Sequence, residues 1–245
     1  GSSAVAPLGP RESSTGVVAA TIRCVPELPD IAILADAFDA ALAGRTLTAV
    51  TVSDPLVLRA TPGEAAALVG QAVERVGRRG KFLVLRLGAR DVWAAPMLTG
   101  RFALVAPGAA KPRAALAFTF GPRVAVARST AAWVAGAAWI PADDREIQLR
   151  YLDATRMGKL YLAPAGQAGG VPGVAELGPD ADDPALGLEE WQSRIRRHPG
   201  ELKPLLRNQA FVAGIGNAYS DEILWEARLS PFRRRASLAP EETAA

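Results

Sequence analysis

A chain of 245 residues with 49% hydrophobic content can fold around one large or two modest cores. Its net charge of +3 does not by itself indicate an anionic partner, and one cysteine with one histidine excludes an internal disulfide and a four-cysteine zinc site. Neither a run of about 18 apolar residues nor a basic segment followed by an apolar one is present, so we expect no membrane span, no secretory signal and a cytoplasmic protein.

The N-terminal part divides into a leader and a helix. Residues 1–25 are rich in Gly, Ser, Pro and Ala without a sustained period, which predicts a disordered leader outside the fold. From Asp30, the apolar residues Ile31, Leu34 and Phe38 fall at helical spacing, and Gly44 is a plausible stop. We predict the first helix there.

Residues 26–164 are dominated by short β-rich runs. They predict an antiparallel sandwich or barrel, interrupted by a helix in TPGEAAALVGQ. The segment from Arg123 to Gln148 resembles an insertion to which we assign no role. The predicted strands are LTAVTVS, LVLRA, KFLVLRLG, VWAAPMLTGRFALVA, ALAFTFG, RVAVAR, QLRYLD and GKLYLAP.

The C-terminal part changes character. Residues 165–184 are rich in Gly, Ala and Pro and predict a linker, and residues 185–245 predict a helical domain containing LEEWQSRIRRH, ELKPLLRNQAFVA and NAYSDEILWEARL. Between the last two helices lies GIGN, where Asn217 can cap the following helix and leave backbone N–H groups free for a phosphate. An ordinary tight corner between two helices is the alternative.

Several motifs carry a resemblance to a known family. PELPD, RRGKFLVLRL, LTGRF, LRYLDATRMGKLYL, ELGPDA, GELKPLLRNQ and GIGNAYSDEILWEARLSP occur in this order. They resemble the formamidopyrimidine-DNA glycosylase and endonuclease VIII family, whose members excise oxidised bases and cut the DNA backbone. The resemblance implies an α+β fold: an N-terminal helix with an antiparallel β-sandwich, then a small helix-two-turn-helix domain that binds DNA.

The family mechanism, carried over to this chain, makes Pro26 the amine nucleophile on the sugar C1′ and Glu27 the acid that helps open the sugar ring. Without the other motifs, Pro-Glu-Leu-Pro would read as an ordinary helix entry. Because an internal proline nitrogen belongs to a tertiary amide, the chain as given should be inert. We therefore interpret Val25 as a GTG start codon, translated as methionine and then removed to expose Pro26.

The resemblance also implies contacts to DNA phosphates. Lys81 matches a family lysine at a hairpin tip, where Arg78 and Arg79 would strengthen a basic edge; a solvated tip is the alternative. We expect Lys203, Asn217 and the turn containing Gly214 and Gly216 to clamp the backbone across the lesion. Tyr219 is a further candidate, or else a core residue.

A flipped base leaves a gap that wedge residues must fill. The resemblance places Leu98 in one wedge, beside Met97, and Met157 in a second, in a loop that also contains Thr155 and Arg156. Threonine stands where the 8-oxoguanine enzymes have an arginine that contacts the opposite cytosine. Because threonine cannot bind a base edge bidentately, we expect oxidised pyrimidines, ring-opened purines or abasic sites to be at least as good substrates as 8-oxoguanine opposite cytosine.

Most relatives end in a four-cysteine zinc finger, and no such cysteines follow Arg235. We expect a truncated chain rather than a zinc-free member, with no cofactor. The leading interpretation is a monomeric glycosylase and abasic-site lyase acting on double-stranded DNA. The alternative is a catalytically inactive protein that binds damaged DNA. A third, a scaffold with a helix-turn-helix interaction module, would require the motif matches to be accidental.

Overall fold

The computed structural model describes residues 18–19, 25–110, 112–124, 131–134 and 137–244. Two five-stranded sheets face each other, and side chains from both contribute to one core cluster. The predicted α+β sandwich is therefore confirmed. No helix in these ranges combines the length and apolar character needed to cross a bilayer.

The first sheet has the strand order β1-β7-β9-β8-β2, and all of its pairs are antiparallel. Its edge strand is formed by two residues of the predicted leader, which pair with Leu104 and Ala103. The prediction that the leader lies outside the fold is thus wrong for this pair; its remainder up to residue 24 lies outside the described residues. The strands are β1 (Val18–Ala19), β2 (Arg45–Val52), β7 (Arg101–Val105), β8 (Leu116–Arg123) and β9 (Ile147–Leu152).

The second sheet has the order β3-β10-β6-β5-β4. The β3–β10 pair is parallel, so the all-antiparallel prediction is wrong there. Because β5 and β6 run in opposite directions, the β4–β5 hairpin tip, the end of β6 and the start of β10 share one edge. The strands are β3 (Leu58–Arg59), β4 (Val73–Arg79), β5 (Phe82–Leu87), β6 (Arg90–Ala95) and β10 (Lys159–Pro164).

Two helices belong to this half of the chain. Helix α1 spans Leu28–Leu42 and α2 spans Pro62–Ala66, which confirms both predicted helices. The Glu27 N–H donates to the Asp30 carboxylate at 2.9 Å, satisfying a donor at the start of α1. The helix buries Ile31 and Phe38 against the sandwich core, which fixes the position of its N-terminus.

Two described residues of the 123–148 segment contact α1. The Trp133 indole N–H donates to Asp36 at 2.9 Å, and the Arg123 guanidinium donates to carbonyl groups at the end of α1. The strand predicted for RVAVAR ends at Arg123 as part of β8, and most of its remainder lies outside the described residues.

The helical part contains α3 (Leu188–Arg197), α4 (Leu202–Arg207) and α5 (Asn217–Glu226), around a second core that includes Leu206, Phe211 and Leu224. Helix α4 is shorter than predicted. The chain turns at Asn208, whose side-chain oxygen accepts the Ala210 N–H at 3.0 Å and so competes with helix continuation.

The segment predicted as a linker is packed against both halves. Val171 is buried beside Trp93, and a Cβ at Gly178 would collide with the backbone of Ala210. Asp180 forms ion pairs with the β4–β5 hairpin. The predicted linker thus has fixed apolar and charged partners in both halves.

Candidate active site

The carboxylate of Glu27 lies in the turn before α5 and is 2% exposed. It accepts the N–H groups of Gly216 at 2.5 Å, Ala218 at 2.8 Å and Tyr219 at 3.2 Å. A helix N-terminus leaves such donors unsatisfied and carries partial positive charge, so it favours an anion. The start of α1 is thereby fixed to the start of α5 across 189 residues of sequence.

The Glu27 interaction corrects the predicted role of Asn217. The N-cap of α5 is Gly216, which makes no capping side-chain bond, and Asn217 is the first helical residue. Glu27 occupies three of the N–H groups that we expected to be free for a phosphate. Those groups hold a side chain of the candidate active site.

Both glycines of the turn are required by close contacts. Gly214 has φ +104, and its carbonyl accepts the Leu28 N–H at 3.0 Å. A Cβ at Gly216 would overlap the Glu27 carboxylate and lie 2.5 Å from Lys81 Nζ. The turn therefore approaches the catalytic candidates as only glycine allows.

Gln209 organises the same turn and was not predicted from the sequence. Its side-chain oxygen accepts the Gly214 N–H at 2.9 Å, and its amide nitrogen donates to the Ile215 carbonyl at 2.7 Å. The motif GELKPLLRNQ contains Gln209. Its position directly after a helix and before a glycine-rich turn was the available signal.

Lys81 is half-buried and lies beside Glu27 and Gly216. Burial lowers the pKa of its ammonium group below the ordinary lysine value, the Glu27 carboxylate opposes this shift, and Arg207 adds to it. Pro26 is buried directly before Glu27, with Val25 preceding it. Pro26, Glu27, Lys81 and the glycine turn thus come together.

The β4–β5 hairpin that carries Lys81 is fixed by Asp180. This carboxylate pairs with Arg79 at 2.8 Å and Arg78 at 3.2 Å, and it accepts the Gly80 N–H at 2.7 Å. Arg78 also contacts Asp182. The prediction that both arginines extend a basic edge is wrong, because they join the hairpin to the segment before the helical part.

Replacing Asp180 by asparagine is expected to lower the free energy of unfolding by about 1–3 kcal/mol, because two guanidinium groups lose their charged acceptor. Urea denaturation measures this effect. Asp182→Asn is the matched control: its carboxylate is 52% exposed, so we expect a change below about 1 kcal/mol. Equal effects of the two variants would contradict the role given to Asp180.

Two loops extend from the same edge of the second sheet as the Lys81 hairpin. One follows β6 and carries Met97 and Leu98, which are 48% and 52% exposed; the other precedes β10 and carries Met157, 49% exposed. The hydroxyl groups of Thr99 and Thr155 lie 2.5 Å apart and join the loops. The predicted wedge residues thus lie in two connected loops.

The remaining candidate cations have internal partners. Arg156 pairs with Asp54 at 2.5 Å, and Lys203 on α4 pairs with Asp221 on α5 at 2.6 Å. Tyr219 is 36% exposed, so its side chain lies at the surface rather than in the core. Any contact of Lys203 or Arg156 with a phosphate would replace a carboxylate.

Two family models match the chain. The formamidopyrimidine-DNA glycosylase N-terminal domain matches residues 25–160, and the formamidopyrimidine-DNA glycosylase H2TH domain matches residues 177–245. Together they include the sandwich from α1 to the start of β10 and helices α3, α4 and α5 of the helical part.

Curated proteins of this name are similar over most of the chain. The Enterococcus faecalis formamidopyrimidine-DNA glycosylase is 29% identical over 223 residues, covering 90% of this chain and 71% of that protein. The Desulforamulus reducens protein of the same name is 31% identical over 223 residues, covering 89% and 71%.

Solved structures share the fold. The Lactococcus lactis enzyme non-covalently bound to DNA containing an AP site has a TM-score of 0.73 at 21% identity, covering 89% of this chain and 76% of that chain. A Lactococcus lactis mutant complexed with DNA containing Fapy-dG also gives 0.73 at 21% identity, covering 89% and 73%.

Proposed function

The chain belongs to the formamidopyrimidine-DNA glycosylase family, and on that basis we propose that it is a monomeric DNA-repair glycosylase with abasic-site lyase activity. Its substrate is double-stranded DNA containing oxidised or ring-opened bases or abasic sites. The observation that carries the proposal is the Glu27 carboxylate, fixed by the turn before α5 beside Pro26 and Lys81. The chemistry needs only an amine and a carboxyl group, without a metal or cofactor.

Pro26 supplies the nucleophile when its nitrogen is a free secondary amine. The nitrogen lone pair attacks C1′, and the damaged base leaves as the bond between C1′ and the base breaks, or water leaves at an abasic site. Loss of the amine proton and opening of the C1′–O4′ bond, with a proton delivered to O4′, give an iminium ion between Pro26 and the sugar. Loss of a proton from C2′ then expels the 3′ phosphate and cuts the strand. A terminal amine has a pKa near 8, against about 10.4 for lysine, so more of it is unprotonated at neutral pH.

Glu27 is proposed as the acid that delivers a proton to O4′. Its three N–H contacts hold the carboxyl group next to Pro26, and general acids work only within hydrogen-bond reach of the atom they protonate. The Oε1 atom of Glu27 accepts only the Ala218 N–H, so it has a lone pair for this proton while the three N–H contacts are kept. The proton removed from the attacking amine is the nearest source.

Side chains around this pair would hold the phosphates on either side of the lesion. Lys81 lies at the hairpin tip, and Lys203 lies on α4, where it would exchange Asp221 for a phosphate. Asn217 is exposed at the start of α5 and completes the proposed clamp. Because the turn N–H groups bind Glu27, these side chains carry the phosphate contacts in the proposal.

Recognition of the opposite base is proposed to be weak. The Thr155 hydroxyl is engaged with Thr99 at 2.5 Å and with Asp153 at 3.1 Å. A bidentate base contact discriminates by about 1–3 kcal/mol, and no such contact is available from Thr155. Met157 and Leu98 would fill the gap in the stack by shape alone.

A strand-cleavage assay with protein beginning at Pro26 tests this function. We expect cleavage of duplexes containing an abasic site and at least one of 8-oxoguanine or dihydrouracil, because the Schiff-base chemistry acts on the sugar. Rates opposite cytosine and adenine should agree within about tenfold, since Thr155 offers no bidentate contact. Binding without cleavage of any duplex would instead indicate an inactive damaged-DNA-binding protein.

A further inference from the structure

The Asp153 carboxylate lies beneath the loop after β6 and the loop before β10, and many hydrogen-bond donors surround it. It is 9% exposed and follows β9 directly. Its oxygens accept six hydrogen bonds at 2.5–3.2 Å, from the hydroxyl groups of Thr99, Tyr151 and Thr155 and from the N–H groups of Thr155, Arg156 and Gly158.

These bonds connect two loops that are distant in sequence. Thr99 belongs to the loop after β6, whereas Thr155, Arg156 and Gly158 belong to the loop before β10. The Tyr151 hydroxyl packs under both, because a Cβ at either Gly100 or Gly158 would overlap it. The two loops therefore share one buried polar centre.

The loops hold non-glycine residues in a costly backbone conformation. Met97 has φ +52 and Arg156 has φ +57, values in the left-handed region that L side chains rarely adopt. Such conformations persist only where the surroundings fix them. In the second loop, Asp153 does so directly, since it accepts the Arg156 N–H at 3.1 Å.

We propose that Asp153 is a positioning residue that joins the two loops into one rigid unit and presents Met97, Leu98 and Met157 together to a damaged duplex. The part of this inference that concerns DNA rests on the proposed function. Asp153 does not touch the substrate. It acts through the apolar side chains above it, and Thr99 is the link between the loops.

The charge state of Asp153 supports this role. Burial raises the pKa of this carboxyl group, but the hydrogen bonds from Thr99, Gly158 and Thr155 outweigh burial and bring the pKa below its ordinary value. All six partners can donate to Asp153, so the ionised form is the acceptor that suits them. Each hydroxyl group has a single proton, so the Thr155 hydroxyl donates either to Asp153 or to Thr99 at one time. The centre is therefore intact at neutral pH.

Hydrogen exchange of the DNA-free protein tests the connection between the loops. Thr99→Val removes the linking hydroxyl, and Thr99→Ser keeps it. We expect the amides of Thr155, Arg156 and Gly158 to exchange at least about tenfold faster in Thr99→Val, because Asp153 would lose its hydrogen bond to the loop after β6. In Thr99→Ser the exchange rates should not change. Unchanged exchange in Thr99→Val would show independent loops and overturn the proposal.

The presentation of the apolar side chains to DNA is tested by comparing the affinity for a duplex containing a tetrahydrofuran abasic analogue with the affinity for an undamaged duplex. We expect Thr99→Val and Asp153→Asn to reduce the preference for the abasic duplex about tenfold, the factor that one charged hydrogen bond supplies. Asp91→Asn is the matched control: Asp91 is also buried, binds Arg86 and the Gly166 N–H, and lies at the opposite end of β6.

Two outcomes separate the inference from the proposed function. If wild-type protein prefers the abasic duplex and Thr99→Val keeps that preference, the positioning role is overturned while the function stands. If the wild type shows no preference, the proposed function fails, and the DNA side of the inference fails with it. Faster exchange in Thr99→Val would then still establish the connected loops.

Discussion

Protein that begins at Pro26 is expected to cleave an abasic duplex, whereas protein that retains Val25 is expected to remain at the level of the reaction without protein. In the longer chain, the Pro26 nitrogen belongs to a tertiary amide and has no available lone pair, so no iminium ion can form. Gel analysis of strand cleavage under single-turnover conditions measures the difference.

Extension by Val25 alone is the sharpest comparison. Val25 is 39% exposed in the folded chain, so its presence is compatible with the position of Pro26. Both proteins should therefore bind the tetrahydrofuran duplex with similar affinity. Equal cleavage rates for the two would show that the amine of Pro26 is not the nucleophile.

Glu27→Gln is expected to lower the single-turnover rate by about a hundredfold or more, since a positioned general acid contributes about 10²–10⁴-fold. The change also places an amide N–H among backbone N–H donors. We expect it to lower the free energy of unfolding by about 1–3 kcal/mol, because a buried charged acceptor is lost. Cleavage kinetics and urea denaturation measure the two effects.

Glu64→Gln is a matched control for this substitution. Glu64 accepts hydrogen bonds from Thr61 at the start of α2, outside the candidate site, so the rate should not change. Binding of the tetrahydrofuran duplex separates the two roles of Glu27. Retained binding with a slow rate supports the acid role, whereas a rate within a few-fold of wild type would contradict it.

Much of the fold follows from local patterns. The alternation in β5, where Leu83, Leu85 and Leu87 are buried, predicts a strand with one face in the core, and the helical spacing of Ile31 and Phe38 predicts α1. Strand β4 was not predicted. It buries only Val73 and Val76 and contains a register shift, so its sequence lacks period-two alternation.

The candidate site is less accessible to local reasoning. The motifs place Glu27, Lys81 and the glycine turn in the site individually, but they do not reveal that Glu27 binds the turn itself. Capping rules consider acceptors near the helix start in sequence, whereas this acceptor is 189 residues away. Arg78 was expected at a basic edge because its ion-pair partner, Asp180, is likewise distant in sequence.

Locating the covalent bond tests the central claim most directly. Borohydride reduction during reaction with an abasic duplex would convert the iminium ion to a stable amine, and peptide mapping by mass spectrometry would identify the linked residue. We predict that the sugar remnant is attached to the nitrogen of Pro26 in protein that begins there. Attachment to Lys81, or no adduct while the strand is still cleaved, would contradict the account.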